Sequence, residues 1–129
     1  MKIERFEDLR SWQEARVFNK ALFEIISKNP EFIRDYGLRD QIQRASVSIM
    51  SNIAEGFDCD SDAEFLKFLG YSRRSGSEVQ SQLYNALDRG YLTQEQFDQL
   101  YDQVKKVKEL IGGLSRYLKM SDVSNVRRK

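Results

Sequence analysis

Hydrophobic side chains recur every three or four residues along most of this chain, a spacing that places them on one face of an α-helix. Four stretches carry the pattern: residues 6–28, 38–56, 61–89 and 93–119. Proline cannot continue a helix interior, so Pro30 marks the end of the first stretch. We expect the second and third helices to end near Gly56 and Gly90, with Gly56 in a left-handed conformation. The pattern therefore predicts four helices.

Two of the helix starts carry capping boxes, in which a Ser or Thr side chain accepts a hydrogen bond from the backbone three residues later. Ser61 and Glu64 fit the box at the head of the third helix, and Thr93 and Gln96 repeat it at the fourth. The fourth helix also has apolar residues at coiled-coil spacing over three heptads. It is the most regular element that the sequence predicts.

Short connections join the four predicted helices, so neighbours in sequence should lie antiparallel. No segment alternates polar and apolar residues in the way of a β-strand. We therefore predict an all-α fold, an up-down-up-down antiparallel four-helix bundle. Residues 1–119 are expected to form this single domain, and residues 120–129 a polar, basic C-terminal tail. A chain of 129 residues buries enough surface to fold without a disulfide or a structural metal.

The composition removes whole classes of chemistry. The chain has no His and one Cys, which excludes His-based nucleophilic catalysis, the usual zinc sites and an internal disulfide. We predict no catalytic residue, no metal, no cofactor and no enzymatic activity. No apolar run approaches the ~18 residues that cross a bilayer, and residues 1–5 lack the apolar core of a signal peptide. We therefore expect a cytoplasmic protein that does not enter a membrane.

A cluster of acids, Asp58, Asp60, Asp62 and Glu64, is the densest set of metal-type ligands in the chain. It fails as an EF-hand loop because Ala63 stands where that loop needs glycine. Acidic residues also suit the positive end of a helix dipole. We favour this helix N-terminus over a metal site.

Charge is unevenly distributed along the chain, although the net charge is only +1. Residues 105–129 hold eight bases and two acids, whereas residues 1–104 hold 13 bases and 18 acids. The eight bases are the candidate nucleic-acid contacts: Lys105, Lys106, Lys108, Arg116, Lys119, Arg127, Arg128 and Lys129. Such a patch binds phosphates with an affinity that falls as salt rises. The alternative is that these bases only complement the helix dipole and solubilise the tail, since the pI of 7.8 is below the ~9 typical of nucleic-acid binding domains.

Two further bases, Arg73 and Arg74, share a turn of the third helix with several serines. They offer either a second phosphate contact or an ordinary solvated or interface pair.

A polar stripe runs along the second predicted helix, formed by Arg44, Ser48, Asn52 and Glu55 at steps of four, four and three residues. One interpretation is a ligand or RNA site. The other is a hydrogen-bonded network that specifies the bundle or its subunit contacts. We favour the structural network, because buried polar groups must be satisfied and can set the register of packed helices.

Six short motifs occur in order along the chain: residues 6–15 (FEDLRSWQEA), 36–38 (YGL), 51–56 (SNIAEG), 64–66 (EFL), 76–78 (GSE) and 90–92 (GYL). Over residues 5–119 the chain resembles the bacterial four-helix bundle family first noticed as proteins encoded in intervening sequences of 23S ribosomal RNA genes. The resemblance implies a bundle that assembles into a homopentameric ring, with no assigned enzymatic activity. A related branch, the accessory variability proteins of diversity-generating retroelements, binds nucleic acid and a partner reverse transcriptase through a basic surface. The intervening-sequence branch is the closer match, because this chain is nearly neutral overall.

The residues and the resemblance together predict a non-catalytic, homo-oligomeric bundle that binds RNA or DNA weakly. Copies in a ring multiply a weak basic patch through avidity. The alternative is a protein-interaction scaffold without nucleic-acid binding, in which the acidic segment 58–64 or exposed aromatics such as Tyr71 and Tyr84 receive a partner protein.

Overall fold

Helices make up 86% of residues 3–120, the part of the chain that a computed structural model describes. A short 3₁₀ turn, Phe6–Asp8, precedes five α-helices. Four of these are long and one is a short connector: α1 Arg10–Ser27, α2 Pro30–Arg34, α3 Tyr36–Phe57, α4 Asp62–Asp88 and α5 Gln94–Met120. No strand occurs within the described residues, so the all-α prediction is confirmed.

The first predicted helix starts later than its periodicity suggested. Leu9 has an extended backbone, with φ −76° and ψ 127°, and its side chain is buried. The helix therefore begins at Arg10, and the turn before it packs back along α1. There the Phe6 and Trp12 rings meet edge to face, with centroids 5.1 Å apart.

The linker around Pro30 contains the short helix α2, which the periodicity did not predict. Asn29 caps it, because its side-chain oxygen accepts hydrogen bonds of 3.1 Å from the backbone of Glu31 and Phe32. The Phe32 ring is completely buried and stacks on Tyr91 at 5.0 Å. The connector therefore closes one end of the bundle.

The left-handed cap predicted at Gly56 is wrong. The helix α3 continues to Phe57, and within residues 3–120 only Gly90 is a glycine with a positive φ, +81°. A methyl group on Gly56 would lie 2.8 Å from Phe68 Cβ and 2.9 Å from the Phe65 ring. Glycine at position 56 therefore allows α4 to approach α3 closely, whereas Gly90 follows the end of α4 as predicted.

Both predicted capping boxes are confirmed. Ser61 Oγ accepts a 3.2 Å hydrogen bond from the backbone of Glu64 at the start of α4. Thr93 Oγ1 accepts a 3.0 Å bond from the backbone of Gln96, and the Gln96 side chain accepts one in return from the Thr93 backbone. These local hydrogen bonds fix the starts of α4 and α5 at the residues that the sequence predicts.

The long helices run up, down, up and down around one core. The helix α3 packs against α1 and α4, and α5 packs against the same two helices. Hydrogen bonds join Gln82 to Gln41 and Ser72 to the Ile49 carbonyl, so α4 runs opposite to α3. This arrangement is the predicted antiparallel four-helix bundle within a single chain.

The core is lined by the apolar side of each long helix. On α5 the predicted seam is buried at six of its seven positions, and Leu114 is partly buried: the buried residues are Phe97, Leu100, Val104, Val107, Ile111 and Leu118. Among the helices of residues 3–120, none combines the length and the apolar character needed to span a bilayer.

Candidate nucleic-acid interface

The bases predicted on α5 do not all share one side of the helix. Lys105, Lys108, Arg116 and Lys119 follow each other at steps of three, eight and three residues, so they form one column. Lys106 comes one residue after Lys105 and is therefore turned about 100° away from it, with an exposed side chain. Four of the candidates therefore share one side of α5. The three tail bases, Arg127, Arg128 and Lys129, lie outside the described residues.

A groove of about 470 Å³ runs between α4 and α5, and we call it the α4/α5 groove. Its cations are Lys67 and Arg73 from α4 and Arg116 and Lys119 from α5. The rest of its lining is small, apolar or uncharged: Ala63, Leu66, Leu69, Gly70, Gly112 and Ser115. No acid of residues 3–120 lines it, so the groove presents positive charge alone.

Two glycines leave part of the groove wall without side chains. A methyl group on Gly70 would meet no atom within 4 Å, so the packing of α4 does not require glycine there. At Gly112 the nearest group to such a methyl is the Arg116 guanidinium, at 3.5 Å. Each glycine inside a helix costs about 1 kcal/mol relative to Ala. What these two positions provide is open space, in which a ligand can approach the helix backbone.

Lys108 occupies the same seam next to the groove. Its Nζ donates hydrogen bonds to Ser77 Oγ at 2.8 Å and to Gln80 Oε1 at 2.9 Å. Its stem packs on Gly76, where a methyl group would lie 2.9 Å from Lys108 Cγ. Burial and then the positive charge of Arg73 lower the pKa of Lys108. The bases of the two helices are therefore close enough to raise the local positive potential.

We call six bases along this seam the seam cations. Four of them line the groove, Lys108 bonds across the seam, and Lys105 shares their column on α5 by helical spacing: Lys67, Arg73, Lys105, Lys108, Arg116 and Lys119. None of them forms an ion pair within residues 3–120. The ion pairs of that part of the chain join Arg5 to Asp8, Arg39 to Asp40 and Arg89 to Asp35. Their positive charge is therefore available to an external anion.

Sequence reasoning found part of this site and missed the rest. It singled out Arg73 together with Arg74, but the Arg74 guanidinium lies over the Tyr71 ring at 5.2 Å, outside the groove. It did not identify Lys67 or Gly70. The one signal in the sequence for this part of the groove was Gly70, a glycine without an evident role in the middle of the third predicted helix.

The four residues of the polar stripe on α3 have two different environments in the structure. Asn52 Nδ2 donates to the carbonyl oxygen and to Oγ of Ser48, both at 2.9 Å. Ser75 Oγ of α4 donates to Ser48 Oγ, also at 2.9 Å. These three residues connect α3 to α4, whereas the side chains of Arg44 and Glu55 are exposed to solvent.

A second cluster of polar groups ties the α4–α5 connection to the start of α3. Asp35 accepts hydrogen bonds from the Tyr91 hydroxyl at 2.9 Å, from Arg89 at 2.7 Å and from the Leu38 backbone at 3.3 Å. The Tyr91 hydroxyl and then Arg89 hold the pKa of the Asp35 carboxyl below its usual value. The same hydrogen bond raises the pKa of Tyr91. This cluster caps α3, and its role is structural.

The acidic segment 58–64 leads into the first turn of α4, which contains Asp62 and Glu64. Among residues 3–120, no three acidic or cysteine side chains come together as metal ligands do. The Cys59 thiol donates to the Glu55 carbonyl at 3.3 Å.

Comparisons with known proteins identify the family. The model of the 23S rRNA-intervening sequence protein family matches residues 7–113. The chain is also similar to the crystal structure of a protein of unknown function from the S23 ribosomal protein family of Bacteroides thetaiotaomicron. That similarity has 19% identity and a TM-score of 0.71, covers 82% of this chain and 98% of the other, and shows the shared fold. No curated protein matches the chain. Because the family model covers most of its length, this protein belongs to the 23S rRNA-intervening sequence protein family.

Proposed function

We propose that this protein binds the phosphate backbone of nucleic acid in the α4/α5 groove, without catalysing a reaction. The observation that supports the proposal is a seam where bases from two helices meet without ion-pair partners among residues 3–120. Phosphate contacts by Lys and Arg supply most of the affinity of non-specific nucleic-acid binding. The groove offers such contacts on two facing walls.

Helix-dipole complementarity explains only part of this charge. The dipole acts within the last turn of a helix, so it accounts for Lys119 and, at most, Arg116 near the end of α5. Lys105 and Lys108 lie in the middle of α5. Lys67 is the sixth residue of α4, far from the C-terminal turn in which the dipole favours a cation. Binding of an anion explains the cations at all of these positions.

The first test neutralises the groove with a triple substitution, Arg73→Gln, Arg116→Gln and Lys119→Gln. Fluorescence anisotropy measures affinity for a structured ribosomal RNA fragment, a single-stranded DNA and a duplex over a range of salt. We expect the slope of log affinity against log salt to become shallower by about 2, because each phosphate contact contributes roughly 0.7–0.9. Retention on heparin should fall in parallel.

The matched control removes three exposed bases elsewhere, Lys20→Gln, Arg34→Gln and Lys106→Gln. It changes the net charge by the same amount and should leave the salt slope within about 0.5 of the wild type. Equal effects of the two triple substitutions would show that net charge, and not the groove, sets the affinity. If the wild type binds none of the three nucleic acids even at low salt, the proposal is wrong and a scaffold that receives protein partners becomes the better description.

We also propose that the protein assembles with itself through the outer surface of α1 and α3, which we call the α1/α3 face. Asn19 and Ser46 are hydrogen-bonded at 2.8 Å where these helices meet. Phe23 lies one turn beyond Asn19 and is 58% exposed, and Val47 follows Ser46 and is 49% exposed. Exposed apolar side chains on adjacent helices favour a protein contact. The family resemblance implies a ring of five copies.

Light scattering at micromolar concentration tests this assembly. We expect a mass of about five times 15.2 kDa for the wild type and a smaller mass after Phe23→Glu or Val47→Glu. Val17→Glu is the control, because Val17 is equally exposed but turned about 120° from Phe23 on α1. A monomeric mass for the wild type refutes the proposal.

A further inference from the structure

We propose that the strand bound at this seam is single-stranded, with its phosphates along the seam cations and one unpaired base stacked on Tyr84. This inference rests on the nucleic-acid function proposed above and narrows it to one class of ligand. It depends on three aromatic residues that continue the seam beyond the cations. We call Tyr84, Phe97 and Tyr101 the aromatic platform.

On α4 the platform shares a helix face with one of the seam cations, Arg73. Arg73, Ser77, Gln80 and Tyr84 follow each other at steps of four, three and four residues. Ser77 and Gln80 accept the hydrogen bonds of Lys108, which directs this face toward α5. Tyr84 is four residues beyond Gln80, about 6 Å along the helix axis. A strand that follows the bases along this face therefore reaches Tyr84 next.

On α5 the same continuity holds. Tyr101 precedes Lys105 by four residues and Lys108 by seven, so all three lie in one column. The Tyr84 ring lies 5.8 Å from the Tyr101 ring and 4.8 Å from the Phe97 ring, measured between centroids. The platform therefore bridges the two helices, as Lys108 does about two turns further along α5.

Tyr84 is both exposed and held in place. Half of its surface is accessible, while Phe97 is buried and Tyr101 is partly buried beneath it. The two α5 rings are themselves stacked, with centroids 5.4 Å apart. Isolated exposed tyrosines are common on protein surfaces. Tyr84 differs because it is a supported ring at the end of a row of cations that form no ion pair with any other residue from 3 to 120.

This combination selects unpaired strands. Cations bind the phosphates of single strands and duplexes alike, but a duplex base already has its faces covered by its neighbours. Proteins that bind single strands combine a positive groove with aromatic rings on which bases stack. Every base has a stacking face, so the platform accepts DNA and RNA and reads little sequence.

The column on α5 also shows where the site ends. Asp98 lies three residues before Tyr101, is exposed, and accepts a 2.9 Å hydrogen bond from Gln94. Its carboxylate repels phosphate. The base on Tyr84 is therefore the last one that the seam binds.

The test replaces Tyr84 with leucine, which keeps an apolar side chain but removes the ring, and with phenylalanine, which keeps the ring. Anisotropy measures binding of labelled oligo(dT), oligo(U) and a DNA hairpin duplex by the full chain. Tyr84→Leu should weaken binding of both single strands about tenfold, with an unchanged salt slope because no phosphate contact is lost. Hairpin binding should not change, and Tyr84→Phe should bind as the wild type does.

Tyr71→Leu is the matched control, because Tyr71 is an exposed tyrosine on α4 that packs against Phe68 and Arg74, away from the seam. It should leave all three affinities unchanged. Equal binding of single strands by Tyr84→Leu and the wild type would overturn the inference while leaving the proposed function intact. A parallel loss of hairpin binding would overturn it too. Absence of any wild-type binding would instead remove the proposed function itself.

Discussion

Replacing Gly56 with alanine should destabilise the fold, whereas the same change at Gly70 should stabilise it. Gly70 lies in the interior of α4, where alanine is favoured over glycine by about 1 kcal/mol, and Gly56 lies in the last turn of α3, where that preference is smaller. At Gly70 the added methyl meets nothing within 4 Å, so the variant should gain most of that amount. The two substitutions are chemically identical and differ only in what faces the new methyl group.

At Gly56 the methyl group enters the contact between α3 and α4. It would lie 2.8 Å from Phe68 Cβ, 2.9 Å from Phe65 Cδ1 and 3.4 Å from the Phe65 carbonyl oxygen. The Phe65 ring is completely buried and meets the Phe57 ring edge to face at 6.1 Å, which leaves it no free direction to turn. Overpacking of this kind costs about 1–3 kcal/mol, which exceeds the gain in helix propensity. We therefore expect a net loss of about 1 kcal/mol, and a gap of about 2 kcal/mol between the two variants.

Urea unfolding followed by far-UV circular dichroism measures both changes. The midpoint should move down for Gly56→Ala and up for Gly70→Ala with an unchanged m-value. All samples need the same protein concentration, because the proposed self-assembly would make the apparent stability depend on it. Wild-type stability in Gly56→Ala, or a loss of stability in Gly70→Ala, would refute the assignment of Gly56 to helix contact and of Gly70 to open space.

Four other substitutions test the polar interior and the Asp35 cluster. Ser72→Ala removes a buried 2.7 Å hydrogen bond to α3 and should cost about 1 kcal/mol in urea unfolding, whereas Ser11→Ala removes a buried hydroxyl with no partner among residues 3–120 and should cost nothing. Because the folded pKa of Asp35 is lowered, its contribution to stability is complete above about pH 4 and is lost as the pH falls through the folded pKa. Asp35→Asn should therefore flatten the acid limb of a profile of stability against pH. The folded pKa of Tyr91 is raised, so its contribution to stability depends on pH in the opposite direction. That contribution is complete below about pH 10 and is lost as the pH rises through the folded pKa. Tyr91→Phe should therefore flatten the alkaline limb of the stability profile. Equal acid limbs, or equal alkaline limbs, in variant and wild type would contradict the corresponding assignment.

The four long helices and the starts of α4 and α5 could be predicted from the sequence because they depend on residues within about four positions of each other. The apolar seam of α5 and the capping boxes at Ser61 and Thr93 are such local features. Leu9 and Gly56 were misjudged because packing against other elements decided their conformation. The family could be recognised for a related reason, since its motifs are short and occur in order along the chain.

The candidate site as a whole could not be predicted from the sequence, because it depends on how α4 packs against α5. Local spacing separates Lys106 from Lys105 and Lys108, but only the rotation and axial offset of α4 against α5 bring Arg73 beside Lys108 and Tyr84 beside Tyr101. No pattern within one helix encodes that offset, because it results from how all the buried side chains fit together. The sequence by itself determined the four long helices, the helix starts at the Ser61 and Thr93 caps and the bundle that the helices form. Packing between helices decided which of the many bases share a groove, and which of the exposed tyrosines stands at its end.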